Sequence, residues 1–449
     1  MRCKGWAAVA LALGCAVLLS GCSLQSALGA FRPSARVTAQ QRELRFVIQK
    51  LESHPMLANA AKREAFKTFA AKELALAASP LPNWRIVDVE ERLAAWFHDP
   101  HTAVYGFAAS YPGASALPVA FYWASDGLVT MRLPDTPTTV QTGDRVLAIS
   151  GVPTEQVQRR LTSLIAGDAI FVRYFGAVEL RADSTLRGLG LVSPRGRVAL
   201  RLQRADGSTF TAELPLRSDV GRLLKTEWSA LEGFDGRFEV PMAELQQGHQ
   251  STNWTWFVTP RYGFFVLTSC VDDASYRQAV SAFFQEVAAQ RSPVIVLDLQ
   301  QNGGGSSNVI APWLEHLPLK YESSDVNLAF PQGFAPFLPL IPPTFDGRLY
   351  VLQSDGTFSS AMMMADALTG PGLGVRVGST IGEATAGWGN VALYVTPVLH
   401  VAFQVSSNWV SAIKGKARAT LPAQIPLNLT VGDIQHGTNP VVQWLATLP

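Results

Sequence analysis

Charge is scarce in this sequence, and so is cysteine. Asp, Glu, Lys and Arg make up 16% of the 449 residues against 48% hydrophobic, and the formal net charge is +2. A chain with that balance builds a packed globular core rather than a disordered tail. No basic stripe interleaved with aromatics is present, which leaves no argument for nucleic-acid binding. The seven histidines are scattered without the paired His/Cys spacing of a metal centre. Neither a P-loop nor a dinucleotide fingerprint occurs, so no cofactor is expected. There is no long internal repeat and no low-complexity tract. The length suits two or three domains of about 100–200 residues each.

The four cysteines are Cys3, Cys15, Cys22 and Cys270. Arg2 and Lys4 precede the apolar stretch "GWAAVALALGCAVLL", which is too short for a secure membrane span and ends in "LSGC" at residues 19–22. This start resembles a bacterial lipoprotein signal, which implies cleavage before Cys22 and thioether lipidation of its sulfur. The acyl chains would hold the protein on a membrane surface without a spanning helix. By the same resemblance, Ser23 after the cysteine does not mark inner-membrane retention, so an outer-membrane site facing the periplasm, or the cell surface, is expected. Cys3 and Cys15 would leave with the signal, Cys270 alone would stay free, and an internal disulfide is excluded. Stability then rests on core burial.

The pattern along the chain divides it into a signal at 1–21, a tether at 22–37, a helical region at 38–110, a β-rich module at 118–216 and an α/β unit at 217–449. In the helical region Leu44, Val47, Ile48 and Leu51 share one face, and Phe66, Phe69 and Leu74 mark a second helix. "VAFYWASDGLVTMRL" and "RVALRLQRADGSTFTAELPL" read as hairpins around Asp-Gly turns. From about residue 255, "YGFFVLTSC", "PVIVLDLQ" and "GRLYVLQ" are short continuous apolar runs separated by helical stretches. Strands buried on both faces and joined by helices make a mainly parallel sheet. The fold class expected is therefore α/β, with an N-terminal helical region and a β-rich module.

Two units of the α/β part share one layout. "PVIVLDLQQNGGGSSNVIAPWLEHL" and "GRLYVLQSDGTFSSAMMMADAL" each read as strand, Gly-containing turn and helix. Both turns emerge at the carboxyl ends of parallel strands, where open α/β folds place ligands. A hydroxyl there can cap the helix or act as a nucleophile, with nearby N–H groups stabilising an oxyanion. Glycines 303–305 allow close backbone approach. A nucleophilic serine needs a base, and His101 in "WFHDPHTAVYG" follows a helix that ends at Asp99-Pro100. His98 reads as a helix-surface residue.

This combination resembles the C-terminal-processing (tail-specific) and tricorn-core serine peptidases. The likeness runs through "DPHT", the segment "GDRVLAISGVP" that is similar to part of a PDZ module, "VIVLDLQQNGGG", "TFSSA" and "GEATAG". It implies that Ser359 is the nucleophile, that His101 is the base, and that the N–H groups of Ser360 and of Gly303 or Gly304 form the oxyanion hole. Protein or peptide substrates are implied too. The Ser-Lys branch of the family is excluded because Trp388 stands where its lysine would be. The His-dependent branch takes an acid from the segment before the C-terminal end, and between Trp388 and Gly432 this chain has no Asp or Glu. The residue orienting His101 is left among Glu383, Asp99 and Gln424. An inactive peptide- or protein-binding lipoprotein of the same fold is the alternative reading. The block "DAIFVRYFGAVELRADSTLRGLGLVSP" is longer than a compact PDZ module holds.

Overall fold

The computed structural model describes residues 39–109, 111–133, 136–218, 244, 247–318, 344–369, 372–411 and 420–449. The lipoprotein signal, Cys22 and the tether lie outside the described residues.

The chain opens with helices α1 (Ala39–Leu51), α2 (Ala60–Leu76) and α3 (Asn83–Ala95). Leu44, Val47 and Leu51 of α1 fall on one face and are fully buried. Asn59 caps α2 by accepting the Lys62 N–H at 3.1 Å. Past α3 the backbone turns out at His98, which is exposed and left-handed (φ +51°) rather than on the helix surface. A short strand β1 (Ala103–Val104) follows and pairs antiparallel with a strand some 300 residues later, Ala103 opposite Gln404. The helices therefore do not form a free-standing unit. Leu399, Val401, Phe403 and Val405 share their core. The buried Glu43 carboxylate accepts the N–H groups of Val398 and Leu399 at 2.7 and 2.8 Å.

The β-rich module comprises β2 (Ala120–Ala124), β3 (Gly127–Met131), β4 (Arg145–Ile149), β5 (Val152–Pro153), helices α4 (Thr154–Leu161), α5 (Ala169–Glu179) and α6 (Asp183–Gly188), then β6 (Arg197–Gln203) and β7 (Thr209–Pro215). Its sheet runs β2-β3-β4-β6-β7, antiparallel throughout, with β5 beside β4. Asp206-Gly207 forms the tip between β6 and β7, with Gly207 at φ +83°. The long block after α4 is helical: Asp168 caps α5 through the Ile170 and Phe171 N–H groups, both at 2.9 Å.

The α/β unit holds β8 (His249–Gln250), β9 (Trp254–Val258), β10 (Gly263–Leu267), α7 (Ala274–Gln290), β11 (Val294–Asp298), α8 (Ala311–Leu314), β12 (Arg348–Gln353), α9 (Ser360–Thr369) and β13 (Gly374–Gly378). Next come β14 (Ile381–Ala384), β15 (Ala386–Val395), β16 (Ala402–Ser411), β17 (Thr420–Leu421), β18 (Ile425–Pro426), α10 (Val431–His436) and α11 (Pro440–Ala446). The main sheet runs β18-β13-β12-β11-β10-β9-β8, and its β10-β11-β12-β13-β18 portion is parallel. Ile295, Val296 and Leu297 of β11 are fully buried, as continuous apolar runs require. Helices α7, α8 and α9 cover one face, and α11 covers the other through Val441 and Leu445. The α/β class expected of the sequence is the class that forms. One element is shorter than expected. After the glycine turn the chain makes a 3-10 turn at Ser307–Ile310 and a single α-turn, α8, with Pro312 among its first residues. Pro312 suits a first turn and has no N–H for a longer ladder.

The helix α3 also buries charge. Glu90 is fully buried, and neither of its carboxylate oxygens has a hydrogen-bond partner among the described residues. Burial first, then the Glu43 carboxylate, hold the Glu90 carboxyl well above its ordinary 4.5. A group raised in the folded state favours folding below its unfolded pKa, and that stability is lost as pH rises toward the folded value. Glu90→Leu should therefore raise Tm by a margin that grows from pH 4.5 to pH 8, at ~1 °C for each kcal/mol in a chain of this length. Calorimetry at pH 4.5, 6.5 and 8 checks this, and a margin constant across the range contradicts it.

Candidate active site

The turn that carries Ser359 is made by the end of β12 and stapled to the glycine turn after β11. The Thr357 hydroxyl donates to the Leu299 carbonyl at 2.8 Å, and the Phe358 N–H donates to the Asn302 carbonyl at 2.9 Å. Between these ties and helix α9, Ser359 is left-handed at φ +55°. That conformation costs a non-glycine residue about 1–2 kcal/mol and persists only where the surroundings impose it. Here they do. The Ser359 N–H donates to a Glu383 carboxylate oxygen, and the Ser360 hydroxyl donates to the Gly305 carbonyl at 2.7 Å. Behind it Ala361, Met362, Met364, Ala365 and Leu368 are buried in the core, so α9 is a rigid mount.

The glycine turn lies directly against this serine. A Cβ at Gly304 would stand 2.6 Å from the Ser359 Cβ and 3.1 Å from the Ser360 nitrogen, and Gly304 has φ +100°. Its N–H is already taken by the Asn302 side-chain oxygen at 2.8 Å. That leaves the N–H groups of Gly303 and Ser360 without a hydrogen bond among the described residues. Asn302 is fully buried and donates to the Leu267 carbonyl at 2.9 Å. Beside it, burial pushes the Cys270 thiol up to about 12 against the lowering by its Asn302 hydrogen bond. A thiol so raised is a poor nucleophile.

His101 is brought to this turn from the other end of the chain. It is buried, its ring lies 4.4 Å from that of Phe358, and Phe358 in turn packs 5.0 Å from Phe171 of α5. Its Nδ1 is 3.5 Å from Glu383 Oε1 and 4.0 Å from Asp99 Oδ1. Neither ring nitrogen makes a hydrogen bond among the described residues. Of the three orienting candidates, Glu383 therefore stands nearest the imidazole, and the same carboxylate holds the Ser359 N–H. Asp99 serves the main chain instead, accepting the His101 N–H at 3.0 Å. Burial would raise its carboxyl, but hydrogen bonds from His54, Ser406 and Thr102 and the nearby His101 ring outweigh it, leaving Asp99 below its ordinary value. Gln424 is engaged elsewhere. Its side-chain oxygen accepts the Arg376 N–H at 2.9 Å and its own N–H bonds the Arg376 carbonyl, beside β13.

Three parts of this arrangement carry no sequence signal: the contact of Phe171 with the nucleophile turn, the grip of Asn302 on Gly304, and the participation of His54 and Ser406 around Asp99. Asn302 does sit in "QQNGGG", and a polar residue two before a glycine is the one local hint. Among the described residues no cluster of His, Cys, Asp and Glu could hold a metal ion.

A strained serine at a strand–turn–helix junction, a buried imidazole, and a carboxylate within reach of both form the layout of a serine hydrolase. Residues 261–407 match the model of peptidase family S41. The match agrees with the serine-peptidase resemblance read from the motifs. The chain is similar in fold to mature CPAF, at 15% identity and a TM-score of 0.63, over 91% of this chain and 95% of that one. The structure of mature CPAF complexed with lactacystin aligns at 15% identity and a TM-score of 0.60, over 91% of this chain and 96% of that one. No curated protein sequence matches the chain.

Gly304→Ala tests the fit of the two turns. The added methyl has no room beside Ser359, so the reaction rate with a serine-directed fluorophosphonate should drop about 10²-fold or more, the scale seen when oxyanion stabilisation is lost. Labelling at the wild-type rate in folded protein would show that the turns do not act together.

Proposed function

We propose that Ser359, His101 and Glu383 are the catalytic residues of this serine peptidase. The observation that carries the proposal is the Glu383 carboxylate, which reaches the Ser359 N–H with one oxygen and stands 3.5 Å from His101 Nδ1 with the other. With Nδ1 facing Glu383, Nε2 is the nitrogen available to Ser359. It takes the hydroxyl proton as Oγ attacks the substrate carbonyl. The resulting oxyanion is met by the N–H groups of Ser360 and Gly303. Collapse breaks the C–N bond, and His101 returns the proton to the departing amine. A water molecule, deprotonated by His101, then releases the acyl group from Ser359.

The family resemblance places the acid in the segment before the C-terminal end, and between Trp388 and Gly432 there is no Asp or Glu. The Glu383 carboxylate of β14, 3.5 Å from His101 Nδ1, supports an active enzyme over an inactive binder. Two finer readings are part of the proposal. Cys22 would be lipidated and would tether the enzyme to a membrane surface, on the strength of "LSGC". The module of β2–β7 would bind extended peptide segments in the manner of a PDZ domain, on the strength of "GDRVLAISGVP" and its antiparallel sheet.

Ser359→Ala should abolish fluorophosphonate labelling and hydrolysis of a peptide panel, and equal labelling of the variant would reassign the nucleophile. Tight peptide binding without turnover by the wild type would favour the inactive binder instead. Glu383→Gln should lower kcat/KM by about 10²–10⁴-fold, the range spanned by loss of an orienting acid. It should also move the acidic limb of the pH–rate profile to lower pH, because an anion beside the imidazole favours its protonated form. An unmoved limb would place the orienting charge elsewhere.

A further inference from the structure

Behind His101 lies a second histidine that the chemistry above does not use. His54 is fully buried, between a stacked Phe97 ring at 4.5 Å and the edge of Trp388 at 5.3 Å. Its Nδ1 accepts the Met56 N–H at 3.1 Å, where His54 caps a 3-10 turn. An Nδ1 that accepts leaves the proton of a neutral ring on Nε2. That nitrogen faces Asp99 Oδ2 at 3.2 Å. The same oxygen receives the Thr102 and Ser406 hydroxyls, each at 2.7 Å. Oδ2 is thus held by three donors from three parts of the chain. The remaining oxygen, Oδ1, is taken by the His101 N–H and lies 4.0 Å from His101 Nδ1.

Two carboxylates therefore stand close to one imidazole N–H. Glu383 is nearer at 3.5 Å, and Asp99 is held back at 4.0 Å. A carboxylate with one oxygen pinned by three donors cannot swing, and pinning both oxygens of Asp99 keeps it on the main chain of the turn that carries the base. We propose that His54 is a positioning residue for the catalytic base: by donating from Nε2 to Asp99 Oδ2 it keeps Asp99 from capturing the His101 Nδ1–H, and so leaves that proton to Glu383. The inference rests on the assignment of His101 as base. Trp388 takes part by closing the edge of the His54 ring, and so the position that a lysine would occupy in the Ser-Lys branch helps here to fix a histidine.

The test compares His54→Phe, which fills the same aromatic pocket without a donor, with His54→Gln, whose amide N–H can replace Nε2–H. It uses the full-length purified chain and two readouts. The first is the rate of fluorophosphonate labelling of Ser359 against pH. The second is the titration of the His101 ring followed by ¹⁵N NMR, with its resonance assigned by its loss in His101→Gln. His54→Phe should slow labelling about tenfold, which corresponds to a coupling of about 1.4 kcal/mol between neighbouring groups. It should also move both the acidic limb and the His101 titration to higher pH, because Asp99 is then free to favour the imidazolium. His54→Gln should restore the rate to within about threefold. In an Asp99→Asn background, where the competing anion is gone, His54→Phe should add little. The proposal is overturned if His54→Phe leaves the His101 titration in place, or if its loss persists in full in the Asp99→Asn background, as a packing defect alone would cause. If the wild type is not labelled at Ser359 while the titration still moves, the catalytic assignment falls and the coupling of His54 to His101 stands.

Discussion

The site depends on one carboxylate. Glu383 takes the N–H of a serine that sits in an unfavourable backbone conformation and stands beside the imidazole brought to it by a distant part of the chain. Its position on β14 is what makes this possible. That strand follows β13, which lies between β12 and the edge strand β18 of the main sheet, and leads straight into β15. Glu383 is therefore carried by the same run of chain that receives the helices leading to His101. Strain at Ser359 is tolerable because several ties oppose it: the Glu383 bond, the Phe358 N–H on Asn302, and the Ser360 hydroxyl on Gly305.

Placement of the base is a problem of docking rather than of local structure. Helix α3 ends, the Asp99–Thr102 turn follows, and β1 lays the chain against β16. Apolar burial of Leu399, Val401, Phe403 and Val405 in the helical core supplies the adhesion. Directional bonds supply the register. Ser406 reaches Asp99 with its hydroxyl and Thr102 with its N–H, at 2.7 and 3.1 Å, and Glu43 takes two N–H groups of the turn between β15 and β16. Removing charge-assisted bonds of this kind leaves buried groups unpaired, which costs more than the bond itself contributes.

Much of this was legible in the sequence, and what was not has a physical reason. Continuous apolar runs mark β10, β11 and β12 because a sheet covered on both faces has no polar side. The turns "NGGG" and "GTFSS" announce themselves because close backbone approach needs glycine. The orienting acid was harder. The family resemblance directs attention to the stretch between Trp388 and Gly432, where no Asp or Glu stands, while a carboxylate in space can come from any strand. Asp99 looked like a partner of His101 because it is two residues away, yet that nearness suits it to the backbone N–H. Gln424 had the right chemistry but the sheet ladder uses it. The block after α4 reads as an insertion with no stated task, and only the folded chain brings Phe171 to Phe358. The helix after the glycine turn was overextended because an apolar run conceals the stop at Pro312.

The pairing of β1 with β16 has a consequence for synthesis. Asp99 and Ser406 are 307 residues apart, and contacts so distant in sequence form late. A nascent chain carries His101 from early on, but β16, against which the strand after it docks, does not exist until the last hairpin has been made. Chains cut short before β16 would lack the assembled hydrolytic centre. The order in which the polypeptide is built thus leaves the cluster of His101, Glu383 and Ser359 unassembled until the molecule is nearly whole.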